Sequence, residues 1–419
     1  MGRSGRAALF SVYKGMNREA KYLIYSSILP AVAIGMFYTD ISYFLTTVQG
    51  LSYQFMGLVV TVMGISTFAA SVPLGIAADR YGRKKMLIAG NVIAGLIIVL
   101  FVLTTEPTLL LVAAVFEGVS EAAFSASSGA LLAEKAANSQ RNSVFALFGF
   151  AQSVAYGVGS IVIPSVLVFE FMGFTAKTSH AILYVILAAL ALASTVILLK
   201  VSEVKREKPP PEVTKEAKLT HKKSRNILAK YVFTSAIIAF GAGMIVPLMT
   251  AWFKAQYGIP DTLSGPILGI SSLFIGFATL VTPILAKKIG LIKSIVLTQA
   301  ASTIFMFATP LASNYAIASS VYTVRAFLMN MASPMSQSMI MGLVDEDARG
   351  VASGVNAALW RLPNALSTYI GAYLIDRGLL ALPFFLASLL YAVSIALFWH
   401  YFRKTKMPEE IAATQLQKP

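Results

Sequence analysis

Glu117 and Arg325 stand near the middle of two long apolar runs, 208 residues apart. A charge at the centre of a bilayer costs about 2.5–3.5 kcal/mol on insertion scales, so such residues are rare and mark functional positions. Other polar groups share those runs or their neighbours. Glu121 lies one helical turn beyond Glu117 and therefore on the same face. Arg361 sits beside Trp360 and one turn before Asn364, Asp40 lies between Tyr38 and Tyr43, and Gln152 and Tyr156 are four apart. Two carboxylates and two guanidiniums at similar depth can neutralise each other, which removes much of the insertion cost. They also make a switch. A solute that engages an arginine frees the carboxylate to take up a proton, and Arg grips an anionic group through a planar, two-pronged set of donors. The alternative is a static set of ion pairs that holds two halves of the chain together and touches no solute.

The elements that would position these residues are membrane helices. Of the 419 residues 57% are hydrophobic and 13% charged, where a soluble domain has about 25% charged residues. Twelve runs approach the roughly 20 apolar residues that cross a bilayer as a helix. The first is at about 22–46, the fifth at 144–168, the seventh at 229–253 and the twelfth at 382–402. Runs such as Leu96-Ile97-Ile98-Val99-Leu100-Phe101 do not alternate as barrel strands do, so the fold is read as all-α.

The net charge of +15 does not point to nucleic acid. If the chain starts on the cytoplasmic side, 29 of its 34 Lys and Arg fall in cytoplasmic segments. That bias places both termini in the cytoplasm and the basic groups against anionic lipid. No residue is Cys, which excludes disulfides and thiolate chemistry. His180, His221 and His400 fall at helix ends or in a loop, and no ligand cluster is expected among them. No cofactor and no metal are expected. The polar, basic N-terminus gives no sign of a cleaved signal peptide.

The segment 201–228 is polar, mixed in charge and holds Pro209-Pro210-Pro211; it is read as a flexible cytoplasmic linker. It separates a six-helix bundle at 1–200 from a second at 229–403, followed by a cytoplasmic tail at 404–419. Sliding one half over the other by 208 residues superposes Gly35 on Gly243, Gly50 on Gly258, Gly57 on Gly265, Gly82 on Gly290, Lys85 on Lys293 and Arg141 on Arg349. With six helices each, the halves are parallel copies about an axis along the membrane normal.

Between the second and third predicted helices the chain reads Gly75-Ile76-Ala77-Ala78-Asp79-Arg80-Tyr81-Gly82-Arg83-Lys84-Lys85. This resembles the signature loop of the major facilitator superfamily, and with the six-plus-six layout the resemblance covers essentially the whole chain. It implies twelve transmembrane helices in two bundles related by a pseudo-two-fold axis, with helices 1, 4, 7 and 10 lining a central cavity. It also implies a cytoplasmic gating latch in which Asp79 and Arg83 meet the ends of helices 4 and 11, with Glu134 a partner and Gly75, Arg80, Gly82 and Lys84 completing the loop. A purely topological role, in which the basic loop only orients the chain, is the alternative. The second-half copy has Lys287 where Asp79 stands, so any latch is one-sided.

The resemblance implies a plasma-membrane secondary active transporter, not an enzyme, that moves a small organic solute by alternating access and works as a monomer. The residues favour an anionic or zwitterionic solute held by Arg325 and Arg361, with protons coupled through Glu117 or Glu121 and sodium as the other candidate ion. A proton-driven exporter of lipophilic compounds, dependent on an acid such as Asp40, is the second reading. Against it, helix 4 has Ala114 where such exporters carry Arg, and helix 5 lacks their Gly-Pro kink. A transporter-like membrane sensor is the third.

Overall fold

The computed structural model describes residues 16–136, 141–203, 222–343 and 349–405. Every regular element among them is helical. Twelve helices of 18 residues or more run in chain order: α1 (Arg18–Tyr43), α2 (Tyr53–Tyr81), α3 (Arg83–Leu103), α4 (Pro107–Lys135), α5 (Arg141–Val162), α6 (Ala176–Thr195), α7 (Lys222–Gly243), α8 (Asp261–Ile289), α9 (Leu291–Ala308), α10 (Tyr315–Leu343), α11 (Arg349–Asp376) and α12 (Leu382–Phe402). Nine of the described segments are long and apolar enough to cross a bilayer. Their outward faces carry Val72, Leu96, Leu103, Ile304 and Leu389, all more than half exposed. That much bare hydrocarbon suits lipid and not water.

Local chemistry sets the ends. Asn17 opens α1 by accepting from the Glu19 N–H at 3.1 Å, and Ser52 opens α2 by accepting from Phe55 at 3.1 Å; both satisfy donors that a helix start leaves free. Gly82 ends α2 and begins α3 at φ +113°, and Gly290 does the same between α8 and α9 at φ +88°, a region open to glycine at little cost.

Two predicted helices are not continuous. α5 ends at Val162, and the chain passes through a 3₁₀ turn (Ile163–Ser165) into a short helix (Val166–Phe171). α7 ends at Gly243 and resumes through Val246–Leu248 into Met249–Tyr257. Each break falls at a proline, Pro164 or Pro247, which supplies no backbone donor and crowds the preceding turn. Residues 222–228, read as linker, are the first two turns of α7, and Leu228 is buried. Of the rest of that segment, 201–203 are described and 204–221 are not, and the tail from 406 also lies outside the described residues.

The chain divides into two compact units, residues 1–205 with 260–273, and 206–259 with 274–419. In the first, Leu23, Ile24, Leu87, Leu131, Leu132 and Leu198 build a core cluster. In the second, Met331, Met335 and Met339 pack with Ile295, Phe398 and Phe402. At Gly35 and Gly243 the glycine repeat is a packing repeat. A Cβ on Gly35 would overlap the backbone of Tyr156, seating α1 on α5, and one on Gly243 would overlap the backbone of Asn364, seating α7 on α11. Tyr156 and Asn364 are themselves 208 apart. So are Ser160 and Thr368, whose hydroxyls donate to the Gly35 and Gly243 carbonyls at 3.3 and 2.9 Å.

Candidate functional site

Within the first unit, Gly118 brings α4 against α2, since a Cβ there would strike the Met63 carbonyl and the Thr67 backbone. That contact holds the preceding residue, Glu117, in the interior, where it is 4% exposed. Tyr38 of α1 donates its hydroxyl to Glu117 Oε1 at 2.6 Å. Such a short bond to a carboxylate is charge-assisted and stronger than a neutral one. Glu121 is half-buried one turn further along α4, and Gln152 and Tyr156 are half-buried on α5. The Gln152 Nε2 is enclosed and has no hydrogen-bond partner among the described residues.

Asp40 is fully buried in the same unit. The Tyr184 hydroxyl donates to its Oδ2 at 2.9 Å, and His180 Nε2 lies 3.9 Å from that oxygen. His180 Nε2 is also 2.9 Å from Asp261 Oδ2, while its Nδ1 is 2.7 Å from the Ala176 carbonyl. One atom from each of Asp40, His180 and Asp261 falls within 4.8 Å of the others, and all three side chains are buried. The sequence sets His180 at a helix end and foresees no ligand cluster among the three histidines; it does not show that His180 meets two carboxylates. Residues 140 and 81 positions apart in the chain meet because the first turn of α8 packs with the first unit. Only one signal was available beforehand: Asp261 follows Gly258-Ile259-Pro260, the punctuation of a helix start.

In the second unit Arg325 is 4% exposed. Its guanidinium donates to the Tyr391 hydroxyl of α12 and lies 5.7 and 5.6 Å from the ring centres of Tyr322 and Tyr391. The Ser302 hydroxyl of α9 donates to the Arg325 carbonyl at 2.9 Å. Arg325 thus meets α9 and α12. Arg361 is half-buried on α11, two residues before Pro363. Asn364 donates to the Ala239 carbonyl of α7 at 3.2 Å, so its amide is engaged in helix packing.

The loop after α2 is a charge network on the first unit. Arg83 binds Asp79 at 2.7 Å, donates to the Ala130 carbonyl of α4 at 3.3 Å and lies 3.9 Å from Glu134. Lys135 pairs with Glu134 at 3.3 Å and with Glu19 of α1 at 2.9 Å. The Lys84 ammonium donates to the Leu199 and Val201 carbonyls at 3.0 and 2.7 Å. Arg80 lies against the Tyr81 ring at 5.4 Å, and Gly75 faces open space. The side chains at 349–359 on α11 and that of Lys287 lie outside the described residues.

A multi-pass helical membrane protein with ionisable groups at the centres of its spans has the architecture of a solute transporter. The sequence pattern described as Major Facilitator Superfamily matches residues 23–368. The chain belongs to that superfamily and is a transporter of small solutes. It is 23% identical over 354 residues to Multidrug resistance protein 2 of Bacillus subtilis, covering 84% of this chain and 87% of that one. It is 31% identical over 139 residues to a Na(+), Li(+), K(+)/H(+) antiporter of Planococcus maritimus, 32% of each chain. A solved mutant of the nucleoside transporter NupG has the same fold, with TM-score 0.75, 12% identity, and 92% of this chain and 100% of that chain covered.

Proposed function

We propose that this transporter is proton-coupled, that it moves a small anionic or zwitterionic organic solute by alternating access of its two six-helix bundles, and that Glu117 carries the proton. The observation that carries the reading is the Glu117–Tyr38 pair: a carboxylate 4% exposed, held by a 2.6 Å bond between α4 and α1. A carboxylate removed from water is stable only while its partners serve the charged form, so a movement of α1 against α4 changes its proton affinity. Gln152, whose amide nitrogen has no hydrogen-bond partner among the described residues, supplies a donor for a polar solute. Arg361, half-buried beside a helix proline, supplies the cation. Arg325 is assigned to packing, because its guanidinium donates to Tyr391 and lies against the Tyr322 and Tyr391 rings, with its Nε left without a hydrogen-bond partner among the described residues. Sodium is the alternative coupling ion, in keeping with the antiporter relative. The protein sits in the cell membrane as a monomer with both termini and the Asp79–Arg83 loop in the cytoplasm, and that loop works as a one-sided gating latch with Glu134.

The multidrug relative, which spans most of the chain, favours a second reading, export of lipophilic compounds. A thermal-shift screen of the detergent-purified protein separates the two. A ligand at 100 times its Kd stabilises the folded state by about 2.7 kcal/mol. Stabilisation by one carboxylate or amino acid, lost in Arg361→Ala, supports the proposed solute class. Stabilisation by several lipophilic cations, retained in Arg361→Ala, overturns it in favour of export.

A further inference from the structure

The cluster of Asp40, His180 and Asp261 is separate from the Glu117–Tyr38 pair and takes no part in the transport scheme above. We propose that it is a binding site for a single divalent transition-metal ion of the zinc type. Three physical observations converge on this assignment.

The first is charge. Two carboxylates lie in the interior, 0% and 2% exposed, and the only ion-pairing partner of either among the described residues is His180. With both carboxylates ionised, a neutral imidazole leaves two negative charges there and an imidazolium leaves one, and either a proton on a carboxyl or a cation makes up the difference. A divalent cation with a neutral imidazole balances the site, and a buried charge without a counter-charge costs several kcal/mol.

The second is the surroundings of each donor. The Ala176 carbonyl can only accept, so His180 Nδ1 carries the hydrogen and Nε2 is turned to the carboxylates. Metal-binding histidines are held in this way, with the second nitrogen donating to a carbonyl or carboxylate. Tyr184 fixes Asp40 Oδ2 from the other side at 2.9 Å.

The third is an acceptor left over. Asp40 Oδ1 is buried and has no hydrogen-bond partner among the described residues, so it is an open acceptor that can take the ion in place of Oδ2.

The distances fit a small ion. Donors bound to zinc at about 2.0–2.2 Å in a tetrahedron stand about 3.3–3.5 Å from each other. His180 Nε2 is 2.9 Å from Asp261 and 3.9 Å from Asp40, so shifts of about half an ångström close the site on such a metal. An imidazole nitrogen with two carboxylates selects zinc, cobalt or manganese over calcium and magnesium, which take oxygen ligands. The ion would tie the first turn of α8 to α1 and α6.

The test uses the full-length protein, freed of metal by a chelator and of any histidine tag. Cobalt(II) is titrated and followed by visible absorption, and zinc(II) by calorimetry. The expected result is one ion per chain, a cobalt band typical of a low-coordinate site that zinc abolishes, and a zinc-dependent rise in Tm. His180→Gln and Asp40→Asn, checked for a monodisperse elution peak, should each weaken zinc binding at least tenfold. The pair His221→Gln and His400→Gln should leave it unchanged. Absence of both the cobalt band and saturable zinc uptake in the unmutated protein overturns the site and leaves a His180–Asp261 ion pair. Zinc uptake that survives His180→Gln in a folded protein overturns it equally. Neither outcome bears on proton coupling through Glu117.

Discussion

Helix α4 of the first unit and α10 of the second are copies in sequence register, and each buries a charge at the same mid-helix position, Glu117 and Arg325. The charges are handled differently. Glu117 is reached by a hydroxyl on α1, while Arg325 turns to Tyr391 on α12 and to the rings of Tyr322 and Tyr391. The packing around them repeats far more faithfully: Gly35 with Tyr156 and Ser160 corresponds contact for contact to Gly243 with Asn364 and Thr368. A duplicated membrane bundle keeps the small residues that let helices approach, because each loss there is felt by the whole interface. A charged side chain is retained only where it serves a purpose, and after duplication the two purposes part.

Substitutions test how far that difference goes. The largest effect is expected for Glu117→Gln, which should abolish accumulation driven by a pH gradient while the protein remains folded. Next come Gly35→Ala and Gly243→Ala. Overpacking costs about 1–3 kcal/mol where neighbours can yield, and here the obstacle is backbone, so both should lower Tm steeply and to a similar degree. Unequal losses would show that the repeat is not energetic. Tyr391→Phe should destabilise the second unit by about 1–3 kcal/mol, because it leaves a buried guanidinium without its hydroxyl. Transport per folded molecule should be unaltered, as should be the case for Arg325→Met. Tyr38→Phe removes a bond to a buried charged group worth about 1.5–3 kcal/mol, so it should lower Tm measurably and also slow transport. The smallest effects belong to the loop: Arg83→Gln breaks partly exposed pairs worth about 0–1 kcal/mol each, too little to see in Tm, and a gating role would appear only as altered transport.

Much of this was legible in the sequence. Hydropathy found the twelve helices, and the offset of 208 found the glycines that seat α1 on α5 and α7 on α11. Breaks within membrane spans were harder to see. Pro164 and Pro247 interrupt α5 and α7, whereas Pro30, Pro73, Pro334 and Pro363 lie inside continuous helices. Neighbouring groups decide which outcome a proline has in a membrane, and a linear reading does not contain them. The same limit hid the meeting of His180, Asp40 and Asp261. It also hid the direction of Arg325, since depth along a helix is visible in sequence but its partner at that depth is not.

The central claim is that Glu117 carries the coupling proton and Arg325 does not. It is tested most directly in proteoliposomes by comparing two assays on the same compound, taken from the thermal-shift panel: accumulation driven by an imposed pH gradient, and exchange of labelled for unlabelled solute with no gradient. Glu117→Gln should lose the first and keep the second, and Arg325→Met should keep both. Gradient-driven accumulation that persists in Glu117→Gln would contradict the account.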